Sequence, residues 1–316
     1  MSGRFDGYSD LVQGAGSLVD ANDLAGALAL LGAHREAFPG QLGHALLWSA
    51  SLHARVGDAG GAIGLLEEAW QRGIRIPERA LRGSTGLALL KDEPAFEELV
   101  ARFAGAGAPP ASRVAELREI HRPDGKRPSR GWPVVIALHG NNSALALERA
   151  RWAAAAGAGW AVELVQSAIP GWVPGFFVWD DDALAAAQIR QAIARVREDP
   201  QVDSSRVVLA GFSAGGYRAI EHVLSPAGDV RVVLGVAAWL PTQQAERLTA
   251  AADLAAVRAY LLVGELDVSG AGHALLAERI TKAGGRCLLE ERAGLGHVFP
   301  RDFDRTLARA LAALEA

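Results

Sequence analysis

The chain has 316 residues, half of them hydrophobic, a formal net charge of -4 and one cysteine. That length exceeds one typical domain and suits a sizeable core with a smaller companion. No uninterrupted apolar run reaches the roughly 20 residues of a membrane span, mild acidity without a basic run disfavours nucleic acid, and a single thiol makes no internal disulfide.

Met1-Ser2-Gly3-Arg4-Phe5-Asp6 lacks a basic region followed by an apolar run, so nothing reads as a secretory signal and the cytoplasm is expected. Up to about Phe103 the apolar residues recur at helical spacing, with no alternating strand pattern. This all-α segment repeats itself. Asp23-Leu24-Ala25-Gly26-Ala27 through Leu31 aligns with Asp58-Ala59-Gly60-Gly61-Ala62 through Leu66, at an offset of 35 residues. The period and the small-then-large rhythm Ala62, Leu66, Ala69 resemble tetratricopeptide repeats, with Pro39 where such a unit ends and a third unit hinted at by Asp92 to Leu99. A short, degenerate helical array is expected over residues 1–108.

Ala104-Gly105-Ala106-Gly107-Ala108-Pro109-Pro110 reads as a linker, opening a second domain over 109–316. There, apolar β-rich runs alternate with helical ones, the pattern of an α/β fold with a mostly parallel sheet between helices. Strands are expected near Val114 to Ile120, Val134 to Leu138, Ala161 to Gln166, Val207 to Ala210, Val232 to Ala237, Tyr260 to Val263 and Cys287 to Glu291, the first two forming a hairpin. Helices are expected over Ala144 to Ala156, Asp182 to Glu198, Ala214 to Leu224, Gln243 to Ala252, His273 to Ala283 and Phe303 to Ala313. Cys287, in an apolar strand, reads as a buried small hydrophobe.

Gly211-Phe212-Ser213-Ala214-Gly215 has the G-x-S-x-G form, between the strand Arg206 to Ala210 and a helix beginning at Gly216. Glycines two residues either side of a serine let strand and helix approach closely and expose Ser213 Oγ as a nucleophile. A hydroxyl needs a base oriented by a carboxylate. Asp267, past the strand Tyr260 to Val263, is the candidate acid, with Glu265 its rival. His297, on the glycine-rich loop after the last strand, is the candidate base, while His273 reads as a helix-surface residue. The backbone N–H groups of Ala214 and Asn141, with Gly140 as fallback, are the candidate oxyanion donors, and the His139 side chain is expected to be structural.

Together, His139-Gly140, Gly211 to Gly216, Asp267, Gly296-His297 and the turn Ala238-Trp239-Leu240-Pro241 resemble the phospholipase/carboxylesterase branch of the α/β-hydrolase superfamily, over roughly residues 112–316. The resemblance implies a cofactor-free serine carboxylesterase acting on a small-molecule ester. Asn141-Asn142 replaces a glycine-rich segment common in that branch, and Ala214 stands where many members carry glutamine.

Trp172, Phe176, Phe177 and Trp179, on a loop broken by glycine and proline, together with Trp239, are expected to wall the acyl pocket; plugging the gap between sheet and helix is the alternative for each ring. Asp180, Asp181 and Asp182 read as helix-start acids rather than metal ligands. Two other functions compete: a prolyl-oligopeptidase-like peptidase, and a repeat-based peptide-binding module with the hydrolase domain as scaffold. The helical domain leaves open a homodimer or a peptide partner.

Overall fold

A computed structural model describes residues 7–106, 117–250 and 252–315. It divides into two compact units, Met1–Ser112 with Pro170–Phe176, and Arg113–Ile169 with Phe177–Ala316. The boundary expected at residue 108, most of the expected linker and the start of the first expected strand lie outside the described residues.

The first unit comprises α1 (Tyr8–Asp20), α2 (Leu24–His34), α3 (Leu42–Arg55), α4 (Ala59–Gln71), α5 (Glu78–Arg82) and α6 (Pro94–Ala106). α1 packs on α2 and α3 on α4. The 35-residue repetition extends to the turns. Asn22 and Gly57 both adopt the left-handed backbone, at φ 58° and 82°. The next residue in each case, Asp23 or Asp58, caps its helix by accepting the N–H of Gly26 or Gly61 at 2.8 Å. Ala62, Leu66 and Ala69 of α4 bury against Leu46 and Ala50 of α3 and Phe103 of α6.

Residues 170–176, expected from the sequence in the second domain, belong to this first unit. Trp172 packs on its core, Gln41 Nε2 donates to the Pro174 carbonyl at 3.2 Å, and the Phe176 ring lies edge-on to His44 at 5.2 Å.

The second unit carries β1 (Arg118–His121), β2 (Trp132–Leu138), α7 (Leu145–Ala153), β3 (Ala161–Val165), the two-residue strands β4 (Ile169–Pro170) and β5 (Phe177–Val178), α8 (Asp182–Glu198), β6 (Val202–Phe212), α9 (Ser213–Leu224), β7 (Val232–Val236), α10 (Thr242–Thr249), β8 (Arg258–Gly264), α11 (Gly270–Lys282), β9 (Arg286–Arg292) and α12 (Phe303–Glu315), β4 reaching one residue past its limit. Its sheet has the order β1-β3-β2-β6-β7-β8-β9. All neighbours are parallel except β1 with β3. Alternate strand residues divide between two cores. Ile136, Leu209 and Leu261 meet α8, α9 and α11 on one face, while Val135, Val208 and Leu262 meet α7 and α12 on the other. Covering both faces explains why β2 and β3 are buried along their whole length, β2 being apolar throughout.

Two expectations are corrected. β1 does not form a hairpin with β2, whose two edges are taken by β3 and β6; it pairs antiparallel with β3, Arg118 opposite Val165. Its half-exposed alternation suits such an edge. His273 is not on a helix surface: it is fully buried, Nδ1 at 2.8 Å from the Ser269 carbonyl.

Candidate active site

Ser213 stands where β6 ends and α9 begins, at φ 51°, a left-handed conformation that a side chain rarely adopts. The flanking glycines make the turn sterically feasible. A Cβ on Gly211 would lie 2.4 Å from the Gly215 carbonyl carbon, and one on Gly215 would lie 2.4 Å from the His139 carbonyl oxygen. The resulting turn presents Ser213 Oγ 2.7 Å from His297 Nε2, and His297 Nδ1 lies 2.8 Å from Asp267 Oδ2. The three side chains come from three strand exits, after β6, β8 and β9.

Each partner is held in place. The Asp267 carboxylate is fully buried as a side chain, and its Oδ1 accepts the Ser269 N–H at 2.9 Å. Burial works against its charge, but the His297 ring and the Ser269 N–H outweigh that and hold its pKa below the ordinary aspartate value. The Phe212 ring packs tilted against His297 at 5.4 Å and stacks on Phe299 at 4.4 Å. Glu265, the rival acid, does not reach His297; its Oε2 accepts the Gly294 N–H at 2.8 Å and ties down the histidine loop.

Asn141 follows β2, and its side chain is clamped: Oδ1 accepts the Trp179 N–H at 2.7 Å and Nδ2 donates to Asp180 Oδ1 at 2.8 Å. Gly140, the fallback donor, gives its N–H to buried Glu148 at 2.8 Å and is therefore committed elsewhere. Ala214 is the second residue of α9, so its N–H falls among those that a helix leaves without an internal acceptor. His139 is a strut. Nε2 accepts the Ser167 N–H at 3.0 Å, so Nδ1 carries the proton and donates to the Gly140 carbonyl at 2.6 Å. Burial pushes its pKa down to about 4.

The five expected pocket rings divide between the two units. Trp172 and Phe176 belong to the first unit. Trp179 is 1% exposed and donates Nε1–H to the His139 carbonyl at 2.7 Å, which makes it a core plug. Phe177 is partly buried, 6.5 Å from the His139 ring. Trp239 is 47% exposed, and its N–H donates to the Ser213 carbonyl at 3.0 Å. Of the three aspartates, Asp181 caps α8 by accepting the Leu184 N–H, Asp180 receives Asn141 and Asp182 meets Arg218.

Sequence reasoning missed three residues. Glu148 collects Gly140 N–H, Ser143 Oγ and Trp152 Nε1. Ser269 holds Asp267 through its N–H and accepts the Leu240 N–H on Oγ. Arg218, on the helix behind Ser213, donates Nη2–H to the Trp179 carbonyl at 2.7 Å. That bond links the helix that begins at Ser213 to the residue whose N–H clamps Asn141. Only Glu148, an acid at a position its helix buries, left a sequence signal.

The model of the dienelactone hydrolase family matches residues 177–316, a span containing Ser213, Asp267 and His297. No curated protein matches the chain. Among solved structures, an uncharacterized protein from Bacillus cereus is 19% identical with a TM-score of 0.53, over 98% of this chain and 99% of that one. Thermogutta terrifontis esterase 2, phosphoramylated by tabun, is 20% identical with a TM-score of 0.53, over 65% of this chain and 93% of its own. A Paleococcus ferrophilus monoacylglycerol lipase is 16% identical with a TM-score of 0.50, over 64% and 100%. Among the described residues no helix is long and apolar enough to cross a membrane.

Proposed function

We propose that this chain, which has the fold of the α/β-hydrolase superfamily, is a serine esterase that cleaves small carboxylic esters through Ser213, His297 and Asp267. The observation that carries the reading is the continuous line of short contacts, Ser213 Oγ to His297 Nε2 at 2.7 Å and His297 Nδ1 to Asp267 Oδ2 at 2.8 Å, ending on a buried carboxylate. The dienelactone hydrolase match across all three residues supports hydrolysis, and an esterase and a lipase among the fold's neighbours support an ester as the bond cleaved.

In this mechanism His297 Nε2 takes the Ser213 proton as Oγ attacks the carbonyl carbon, while Asp267 stabilises the imidazolium. The negative charge that develops on the carbonyl oxygen faces the N–H groups of Asn141 and Ala214, at the start of α9 where the helix dipole favours it. Collapse breaks the ester C–O bond and His297 protonates the leaving alcohol. Water, deprotonated by the same histidine, then attacks the acyl-enzyme, releasing the carboxylic acid and restoring Ser213. The cycle consumes only ester and water.

Ser213→Ala should lower turnover of short p-nitrophenyl esters by several orders of magnitude and abolish labelling by a fluorophosphonate. Undiminished turnover in that variant would refute the assignment.

A further inference from the structure

The first unit encloses a cleft of about 560 Å³ whose walls all belong to it, among them His44 of α3, Ile74 and Arg75 after α4, and Trp172, Val173 and Pro174 of the loop. That volume is in the range of small-molecule sites, about 300–1,000 Å³. Among the described residues no aspartate or glutamate lines it.

Arg75 is unlike its neighbours. Arg35, Arg72, Arg82 and Arg102 of the same unit each pair with a glutamate. Arg75 instead lays its guanidinium over the Trp70 ring at 4.3 Å and uses Nη1 for the carbonyls of Trp70 and Ile74. Among the described residues it has no carboxylate partner, and Nε and Nη2, one edge of the guanidinium fork, have no acceptor. Arg75 is also only partly exposed, so its charge sits where water screens it less. His44 adds no second charge: burial pushes its pKa down to about 4, and its Nδ1 shares a 2.7 Å hydrogen bond with the Tyr8 hydroxyl. The remaining walls, all uncharged, include the Trp172 ring, Ile74 and Pro174. Trp172 Nε1–H has no acceptor among the described residues. The loop is pinned by Gln41 on Pro174 and by Phe176 against His44, so the cleft is preformed.

We propose that this cleft binds a small monocarboxylate with an apolar body, its carboxylate on the free edge of Arg75 and its body against Trp172 and Ile74. One unpaired guanidinium matches one planar carboxylate, which it engages through two parallel hydrogen bonds. A more highly charged anion such as phosphate would leave charge uncompensated against apolar walls. The cleft is lined without Ser213 and does not depend on the esterase reading.

The test is calorimetric titration of the full-length chain with hexanoate, and with hexan-1-ol as the uncharged control. Hexanoate should bind saturably at one site and hexan-1-ol should not. Arg75→Gln should weaken hexanoate roughly ten-fold or more, the scale of a lost charge-assisted pair. Pro174→Asp, at an exposed position whose carbonyl contact is kept, should do the same by repulsion and guards against a folding defect in the arginine variant. Ser213→Ala should leave the affinity unchanged. The proposal is overturned by equal binding of acid and alcohol, by hexanoate affinity unaltered in both cleft variants, by loss of binding in Ser213→Ala, or by no saturation up to about 10 mM, weaker than the usual small-ligand range.

Discussion

His139 ties folding stability to pH at the loop that carries Asn141. Its ring is 1% exposed, accepts the Ser167 N–H and donates to the Gly140 carbonyl, and burial lowers its pKa from 6.5 to about 4. Between those values the unfolded chain binds a proton that the folded chain refuses, so stability falls as pH drops through this window and is unaffected by this group above it. At about 1.36 kcal/mol per pH unit the full loss is roughly 3 kcal/mol, of which about 2 is already incurred at pH 5. An NMR titration of the His139 ring should show it neutral at pH 5 in the folded protein. His139→Gln keeps an acceptor for Ser167 and a donor for Gly140 but cannot titrate, so its urea-unfolding free energy should fall less steeply between pH 6.5 and 5, by nearly one proton. A ring that titrates near 6.5, or an identical slope in the variant, would refute the reasoning.

Three further outcomes follow from the site's geometry. Asp267→Asn should lower kcat by about four orders of magnitude by letting His297 adopt the wrong tautomer, with KM little changed; a near-normal kcat in steady-state ester assays would count against Asp267. Gly215→Ala should lower Tm and activity together, because the new methyl would meet the Leu138 and His139 carbonyl oxygens at 2.5 and 2.4 Å, neither on a flexible side chain; wild-type melting would contradict this. Glu148→Ala strands the N–H of Gly140, the indole of Trp152 and the Ser143 hydroxyl, at about 1 kcal/mol or more for each donor left buried, and chemical denaturation with partial rescue by Glu148→Gln would check it.

Much of the second unit could be read locally. Ser213, Asp267 and His297 each sit at a strand exit with its own short-range signature, a G-x-S-x-G turn, an acid past an apolar strand and a histidine among glycines. The three side chains lie within hydrogen-bonding reach of one another. What could not be read depends on partners distant in sequence. The turn-rich segment between β1 and β2 suggests a hairpin, yet β1 pairs with β3 because the edges of β2 are taken by strands that follow it. Trp179 and Trp172 look alike as aromatics in one loop, but one plugs the sheet and the other joins the helical core. Glu148, Ser269 and Arg218 act through backbone groups elsewhere in the chain, which no spacing rule singles out.

The membership of Pro170–Phe176 in the helical unit also bears on how such a protein can be rearranged. A cut anywhere between α6 and β1 yields an N-terminal fragment without Trp172, which packs on its core, and without the carbonyl that Gln41 binds. The helical unit is therefore not a cassette that can be appended to or deleted from an unrelated hydrolase at one junction. Exchange by recombination must carry both the leading segment and a short insertion between β3 and α8, so the two pieces are expected to be inherited together.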